Sequence, residues 1–186
     1  MSKQSFSILE GVIALGALVT SSAAVYIAWD QAQTMRVEQH ASVLPALQID
    51  RFEQDEGASV SVGFTVENAG VGPAFVMSAT LTNDGQQMAG YENLAGVVPT
   101  GMEMSVEPLS GRVIAPGDEQ TALRMRWRAD PMETADTKGD IYVATDKLAM
   151  EVCYCSTLQR CWISKSNQRE HPKQVNSCKK TKEGLF

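Results

Sequence analysis

A long apolar run near the amino terminus constrains this chain more than any other feature. From Phe6 to Trp29 the sequence reads FSILEGVIALGALVTSSAAVYIAW, and Glu10 is its only ionisable residue. About 20 apolar residues suffice for a helix to cross roughly 30 Å of hydrocarbon. The run is longer than the apolar part of a secretory signal. We therefore expect Phe6 to Trp29 to be an uncleaved transmembrane signal anchor, with cleavage near Ala24 as the alternative.

The charges that flank this run predict its orientation. Lys3 and the terminal amine precede it, whereas Asp30, Arg36 and Glu38 follow it. Positive charge is enriched on the cytoplasmic side of membrane helices. The first ten residues are also too few to form a folded domain. We expect a single-pass protein of the bacterial inner membrane, with residues 1–5 in the cytoplasm and the carboxyl-terminal domain in the periplasm.

Small residues recur at every fourth position of the predicted helix. Gly16, Thr20, Ala24 and Ala28 would form one stripe that permits close helix packing, and hence a homo-oligomer in the lipid bilayer. Small residues are also common in membrane helices that do not pair. The stripe is therefore compatible with both a dimer and a monomer.

The start of the apolar run resembles a second class of protein. FSILE is similar to the beginning of a mature type IV pilin or pseudopilin, in which Phe is followed by a hydrophobic run with Glu at the fifth position. Phe6 would then be the first residue and Glu10 the fifth. Ser5 stands where such leaders usually carry Gly. This resemblance implies a filament subunit that is processed before Phe6.

The pattern changes after the apolar run. Residues 30–45 contain good helix formers and no Gly or Pro before Pro45, so we expect a juxtamembrane extension of the helix. From residue 46 to about 165, short segments alternate apolar and polar residues, which indicates half-buried strands. Ala58 to Val66 is the clearest of them. Asp140 to Cys155 also has the composition of a strand.

Turn signals separate the predicted strands. Gly70 and Gly72 are expected to supply positive φ angles in a tight connection, and Asn83 to Gln86 reads as a hairpin turn. Tyr91 to Val98 lacks periodicity and suits a short helix. The spacing predicts an all-β domain, an antiparallel β-sandwich of about seven or eight strands. The expected inner-face residues are Leu47, Ile49, Val60, Val62, Phe64, Phe75, Met77, Leu81, Leu123, Met125, Trp127, Ile141 and Val143.

Several segments together resemble one group of proteins. The succession YIAWDQAQTMRVEQHASVLPALQ, ENAGVGPAFV, IAPGDE and CYCSTLQRCW, from about Val25 to Trp162, is similar to a set of uncharacterised bacterial single-pass membrane proteins. In that set one amino-terminal helix precedes an exported immunoglobulin-like domain. Leu44 stands where the set would have Trp. The resemblance implies a location and an immunoglobulin-like β-sandwich, and it implies no reaction.

Three of the four cysteines lie in EVCYCSTLQRCW, from Glu151 to Trp162. An even number of cysteines in an exported domain is expected to be oxidised. STLQR connects two strands as a hairpin, which sets Cys155 opposite Cys161 and Cys153 opposite Ile163. We therefore expect bridges Cys155–Cys161 and Cys153–Cys178, although four cysteines allow three pairings.

Charge is unevenly distributed along the chain. It has 22 Asp and Glu against 16 Lys and Arg, which argues against nucleic acid as a partner. From Lys165 to Phe186, six basic and two acidic residues give a net charge of +4. We expect residues 166–186 to be a basic tail held by the second bridge. The tail is either solvated or docked on acidic lipid or on the acidic domain.

No sequence pattern predicts catalysis. His40 and His171 are the two histidines, and no nucleophile elbow, Ser-x-x-Lys or His-Glu-x-x-His pattern is present. The cysteines lack the paired Cys-x-x-Cys spacing of a structural zinc site and the helix-start dithiol of a redox enzyme. We expect no enzyme, no cofactor and no metal, with a thiol-redox or metal-binding envelope factor as an alternative.

These observations together predict a non-catalytic accessory or interaction protein of the bacterial envelope. Its helix would anchor it in the bilayer. Its β-sandwich would bind or brace another envelope or membrane protein through loops or a sheet edge.

Overall fold

The computed structural model describes residues 2–99, 101–128, 134–166 and 170–179. It has a long amino-terminal helix that is followed by antiparallel sheets. The chain divides into two compact units, Met1–Ser42 and Val43–Phe186.

The first unit is a single helix, α1, Ser2–Ser42. Its segment Ile8–Ser42 is long and apolar enough to cross a membrane, a test that a signal sequence also satisfies. Large apolar side chains along it, such as Leu15, Val19 and Tyr26, are exposed. The predicted extension beyond Trp29 is confirmed. The helix ends shortly before Pro45, because the residue before a proline disfavours helical backbone angles.

The second unit contains ten strands and two helices among the described residues. The strands are β1 Leu47–Asp55, β2 Ser59–Asn68, β3 Ala74–Asn83, β4 Gln86–Gln87, β5 Glu103–Val106, β6 Val113–Ile114, β7 Glu119–Arg128, β8 Leu148–Cys155, β9 Cys161–Lys165 and β10 Lys173–Val175. The helices are α2 Tyr91–Ala95 and α3 Thr134–Asp146. The number of strands exceeds the expected seven or eight, because β4 and β6 are short additions beside β3 and β10 lies within the predicted tail.

The strands form two antiparallel sheets. One has the order β1-β2-β7-β5, and the other has the order β10-β9-β8-β3-β4, with β6 also paired to β3. Apolar side chains from both sheets belong to one core cluster, which includes Val60, Phe64 and Leu123 of the first sheet and Val76 and Tyr154 of the second. Two local predictions are confirmed. Asn83 and Gln86 close the β3–β4 hairpin, and a short helix, α2, begins at Tyr91.

The prediction of which β3 side chains face the core is wrong at two positions. Phe75 and Met77 are exposed, whereas Val76, between them, is buried. The pairing of β3 with β8 shifts register between Val76 and Ser78. A bulge of this kind adds one residue to the strand and reverses which face the following side chains occupy. Leu81, beyond the shift, is therefore buried as expected.

The prediction of a strand from Asp140 to Cys155 is also wrong over its first half. Residues up to Asp146 belong to α3, and β8 begins only at Leu148. Ile141 is fully buried, but Val143 is 70% exposed. Two positions along a strand point to the same face, whereas two positions along a helix are about 200° apart. The helix therefore keeps Ile141 in the core and turns Val143 to solvent.

The glycines of the β2–β3 connection have a different purpose from the expected one. Gly70 and Gly72 are not among the residues with positive φ. A Cβ on Gly70 would lie 2.4 Å from the Ala46 nitrogen, and one on Gly72 would lie 2.2 Å from the Val43 carbonyl oxygen. Glycine is needed here because two backbone segments touch.

Candidate functional site

A cleft of about 440 Å³ lies between the first half of β1 and the end of β9. Residues 46–50, 69, 163–166 and 170–172 line it. β1 is an edge strand of its sheet, and β9 belongs to the other sheet. The cleft therefore lies where a sheet edge faces the opposite sheet.

Two hydroxyl groups hold the start of β1 beside this cleft. The backbone N–H of Leu47 donates to Tyr154 Oη at 3.1 Å, and Ser164 Oγ donates to the Leu47 carbonyl oxygen at 2.7 Å. Tyr154 and Ser164 are buried residues of β8 and β9. The outward backbone groups of an edge strand have no neighbouring strand to bond to. At Leu47 the two hydroxyls take the place of that strand.

The edge beyond Leu47 has no such partner among the described residues. β2 is the only strand paired with β1 in the sheet order of these residues. Asn68, opposite Leu47, directs its backbone bonds to the loop before β7 instead. Because backbone bonds alternate along an antiparallel pair, the N–H and C=O of Ile49 and Arg51 also point away from β2.

Helix α3 holds the second half of β1 through ion pairs. Arg51 Nη1 lies 3.1 Å from Asp146 Oδ1, and Lys138 Nζ lies 2.8 Å from Asp55 Oδ1. The hydrogen bond from Lys138 lowers the pKa of the Asp55 carboxyl group. These contacts leave the first half of the edge, next to the cleft, as its accessible part.

Several polar side chains line the cleft, among them Asp50, Lys165 and His171. Lys165 pairs with Glu151 at 2.7 Å. Within the described ranges, no hydrogen bond or ion pair joins His171 to Asp50 or Glu170. The cleft offers backbone and side-chain hydrogen bonds, which suit recognition.

The four cysteines form two bridges, Cys153–Cys178 and Cys155–Cys161, with Cα separations of 5.7 and 4.0 Å. These are the pairs that the hairpin register predicts, and Cys153 stands opposite Ile163 in β9. The first bridge ties the segment after β10 to β8. The sequence thus identified the pairing, because a five-residue connection fixes the register of the two strands.

The sulfur atoms of the two bridges lie close together. Cys155 Sγ is 3.9 Å from Cys178 Sγ, and the sulfurs of Cys155, Cys161 and Cys178 all lie within 4.8 Å of one another. The thiolate is the form that binds zinc. All four cysteines are oxidised here, so these residues could hold a metal ion only after both bridges are reduced.

An apolar hollow of about 320 Å³ adjoins the hairpin bridge. Phe75 and Met77 line it together with the Cys155–Cys161 bridge and the turn between those cysteines. Phe75 and Met77 reach it because both side chains face outward from β3.

The predicted helix-packing positions lie in α1. Gly16, Thr20, Ala24 and Ala28 are all exposed. The Thr20 hydroxyl donates to the Gly16 carbonyl oxygen at 3.0 Å, so it bonds within its own helix.

Tyr154, Ser164 and Asn68 were missed as site residues in the sequence. One signal points to Tyr154: it alternates with Cys153 and Cys155 along a strand, so it must face the side opposite to theirs. For Ser164 and Asn68 the sequence carries no such signal, since their partners lie 117 and up to 46 residues away.

No protein-family model matches this chain, and no curated protein sequence matches it either.

Proposed function

We propose that this chain is a single-pass protein of the bacterial inner membrane whose periplasmic, immunoglobulin-like β-sandwich is a non-catalytic module that binds or braces another envelope protein. One observation carries this proposal: the chain has an exposed apolar helix and a separate compact unit. An open cleft in that unit is lined in part by the backbone of an edge strand. Two disulfide bridges are typical of oxidising compartments such as the periplasm.

Strand order supports the immunoglobulin-like assignment. With β1, β2, β5 and β7 taken as strands A, B, D and E, the first sheet has the order ABED. The path β9-β8-β3-β4 in the second sheet then corresponds to G, F, C and C′. These are the sheet orders of immunoglobulin-like sandwiches. β10 adds a further strand beside G.

Membrane topology is tested with full-length protein in its native membrane. We expect the protein to remain in the membrane after alkaline washing. Protease added to spheroplasts should digest the domain without lysis of the cells. Protection of the domain in intact spheroplasts would place it in the cytoplasm and overturn the proposed orientation.

The binding role is tested by cross-linking in intact cells through photoreactive residues placed over the domain surface. We expect one envelope protein to be joined reproducibly from one face of the domain. If no protein is joined from any face, the interaction role is wrong.

The pilin-like alternative rests on FSILE, and the mass of the mature amino terminus distinguishes it: cleavage before Phe6 would support a filament subunit. The thiol-redox or metal-binding alternative rests on the convergence of the cysteine sulfurs. Alkylation of the native exported protein tests the thiol-redox or metal-binding alternative. If both disulfide bridges are formed, no thiol reacts, whereas a free thiol would support that alternative.

A further inference from the structure

We propose that the two disulfide bridges form one thiol–disulfide exchange unit, in which a thiol freed from one bridge attacks the other and forms a third bridge, Cys155–Cys178. The exchange begins when a dithiol reductant opens one of the native bridges. This inference concerns the covalent state of the domain. It goes beyond the proposed binding function and does not depend on it.

Sulfur atoms of the two different bridges are close enough to react. Cys155 Sγ is 3.9 Å from Cys178 Sγ, although these atoms belong to different bridges. Cys161 Sγ lies within 4.8 Å of both, and Cys153 is not in this group. Because a disulfide bond is about 2.0 Å long, Cys155 and Cys178 need to approach by only about 2 Å. Side-chain rotation can supply such a displacement while the strands stay in place.

The hairpin bridge is the accessible entry for a reductant. Cys155 and Cys161 line the open apolar hollow of about 320 Å³, so a thiolate can approach their bond from that side. Cys155 and Cys178 are half-buried, whereas Cys153 and Cys161 are 5% and 6% exposed. Access to the sulfur is one of the factors that set the rate of thiol–disulfide exchange. The two more exposed cysteines are thus the two whose sulfurs lie closest across the bridges.

Reduction of the hairpin bridge conserves atoms and electrons as follows. One thiolate of the reductant attacks Cys161 Sγ, the Cys155–Cys161 bond breaks, and Cys155 leaves as a thiolate. This direction places the leaving charge at the more exposed of the two positions. The second thiolate of the reductant then closes the reductant's own disulfide and releases Cys161. The dithiol is oxidised, and the protein has gained two electrons.

The exchange step that follows is redox-neutral. The Cys155 thiolate attacks Cys178 Sγ, the Cys153–Cys178 bond breaks, and Cys153 leaves as a thiolate that takes a proton from water. One disulfide bond forms and one breaks. If the reductant opens the long-range bridge first, the Cys178 thiolate attacks Cys155 Sγ and displaces Cys161, which gives the same new bridge. The exchange therefore releases the turn between β8 and β9 and leaves Cys178 joined to β8.

Loop entropy does not oppose the exchange. The native long-range bridge joins residues 25 positions apart, and the new one joins residues 23 apart. Cys153 and Cys161 become buried thiols, and a free cysteine is stable in a buried site because it behaves as a small apolar side chain. We therefore expect the populations of the two long-range bridges to lie within about tenfold of each other in the two-electron-reduced protein.

Limited reduction of the full chain in detergent micelles tests the exchange. Less than one equivalent of dithiothreitol is added, and N-ethylmaleimide then blocks the free thiols. Chymotrypsin cuts after Tyr154, and trypsin cuts after Arg160 and Lys165, so the four cysteines fall on separate peptides for mass spectrometry.

We expect Cys155–Cys178, with modified Cys153 and Cys161, in no less than about a tenth of the two-electron-reduced molecules. Reduced molecules that contain only native bridges would overturn the proposal.

Two matched variants remove the same native bridge and leave different thiols. Cys153→Ser leaves the Cys178 thiol, whose sulfur lies near Cys155, whereas Cys178→Ser leaves the Cys153 thiol outside the group of close sulfurs. We expect the first variant to form Cys155–Cys178 and to expose a thiol at Cys161. The second should keep Cys155–Cys161, with exchange at least tenfold less abundant. Equal exchange in both variants, or none in either, would contradict the proposal.

Cys161→Ser approaches the same product from the other side if Cys153→Ser does not fold. It leaves the Cys155 thiol beside an intact Cys153–Cys178 bridge, and we expect both long-range bridges in the purified protein. Cys153–Cys178 alone would overturn the proposal. These results bear on the exchange only, because cross-linking to an envelope protein tests the binding function separately. Either can therefore fail while the other stands.

Discussion

At the scale of single residues, one buried amide organises the connection between the two sheets. Asn68 is fully buried in the described structure. Its Oδ1 accepts from the N–H groups of Ala46 and Gly70, and its Nδ2 donates to the carbonyl oxygens of Gly72 and Ile114. These four bonds use the full capacity of the side-chain amide. They hold the β2–β3 connection against the segment before β1.

We expect Asn68→Ala to lower the free energy of unfolding by about 3 kcal/mol, because several buried backbone groups lose their partners at once. Urea denaturation of the native chain and the variant measures this change. Asn93→Ala is the matched control, since Asn93 is exposed in α2. Similar losses of unfolding free energy in both variants would show that the buried Asn68 amide contributes no more to stability than an exposed one.

Tyr154 makes stability depend on pH in the alkaline range. Burial raises the pKa of its phenol, against the opposing effects of Ser164 and the Leu47 N–H. Since the folded state then holds the proton more tightly than the unfolded state, stability is complete below a pH of about 10 and falls as the pH rises above it. We expect the urea midpoint to fall more steeply above this pH in the native chain than in Tyr154→Phe. Parallel curves would contradict this role.

At the scale of elements, the β1–β2 pair depends on an aromatic ring that covers a glycine. Phe52 stands opposite Gly63, and Arg124 lies over the Phe52 ring at 5.2 Å from its centroid. A Cβ on Gly63 would lie 2.0 Å from the Leu123 carbonyl oxygen and 2.7 Å from the Phe52 ring. The ring thus fills the space that a side chain at residue 63 would occupy.

We expect Gly63→Ala to destabilise the domain by about 3 kcal/mol, because the new methyl group meets backbone that cannot move aside cheaply. Thermal unfolding followed by circular dichroism measures the effect. Gly90→Ala is the control, since no atom lies within 4 Å of a Cβ built there. A neutral Gly63→Ala variant would mean that the two strands can separate locally without cost.

The two disulfide bridges should differ in their contribution to stability. Cys153–Cys178 joins residues 25 positions apart, and Cys155–Cys161 joins residues 6 apart. Chain-entropy estimates for loops of these lengths are about 3.5 and about 2 kcal/mol. We expect Cys153→Ser/Cys178→Ser to lower the free energy of unfolding more than Cys155→Ser/Cys161→Ser does.

The two double variants serve as controls for each other in urea titrations. The long-range pair should also expose the segment around β10 to proteolysis, because that bridge ties the segment to β8. Equal losses in the two variants would contradict the loop-length argument.

At the scale of the whole molecule, the helix and the sheets have independent sources of stability. The core residues lie between Leu47 and Tyr154, within the second compact unit. The helix exposes its apolar side chains. Such a helix needs lipid or a partner to cover it, whereas the sheets cover themselves.

We therefore expect a chain of residues 43–186 to fold without α1 and to unfold with a midpoint close to that of the full chain in detergent. Urea titrations of both proteins, followed by Trp fluorescence, test this. A truncated chain without a cooperative transition would show that the domain requires the helix.

Local patterns were sufficient for much of this fold. The length of the apolar run identified α1, the two-residue period of apolar residues identified β1 and β2, and the Asn83 to Gln86 turn identified a hairpin. These features depend on residues that are near neighbours in the chain. The cysteine pairing could also be expected, because the register of one short hairpin leaves Cys178 as the remaining partner of Cys153.

The sequence by itself determined the long apolar helix at the amino terminus, the alternation of the strands and the disulfide bridge of the β8–β9 hairpin. Only the tertiary structure decided that Phe75 and Met77 face outward, that Ile141 belongs to a helix and that the β1 edge opens into a cleft. The physical reason is that the alternation of apolar and polar residues depends on near neighbours in the chain. The position of a bulge, the helical state of α3 and the hydroxyl bonds to Leu47 depend on partners that are distant in the chain.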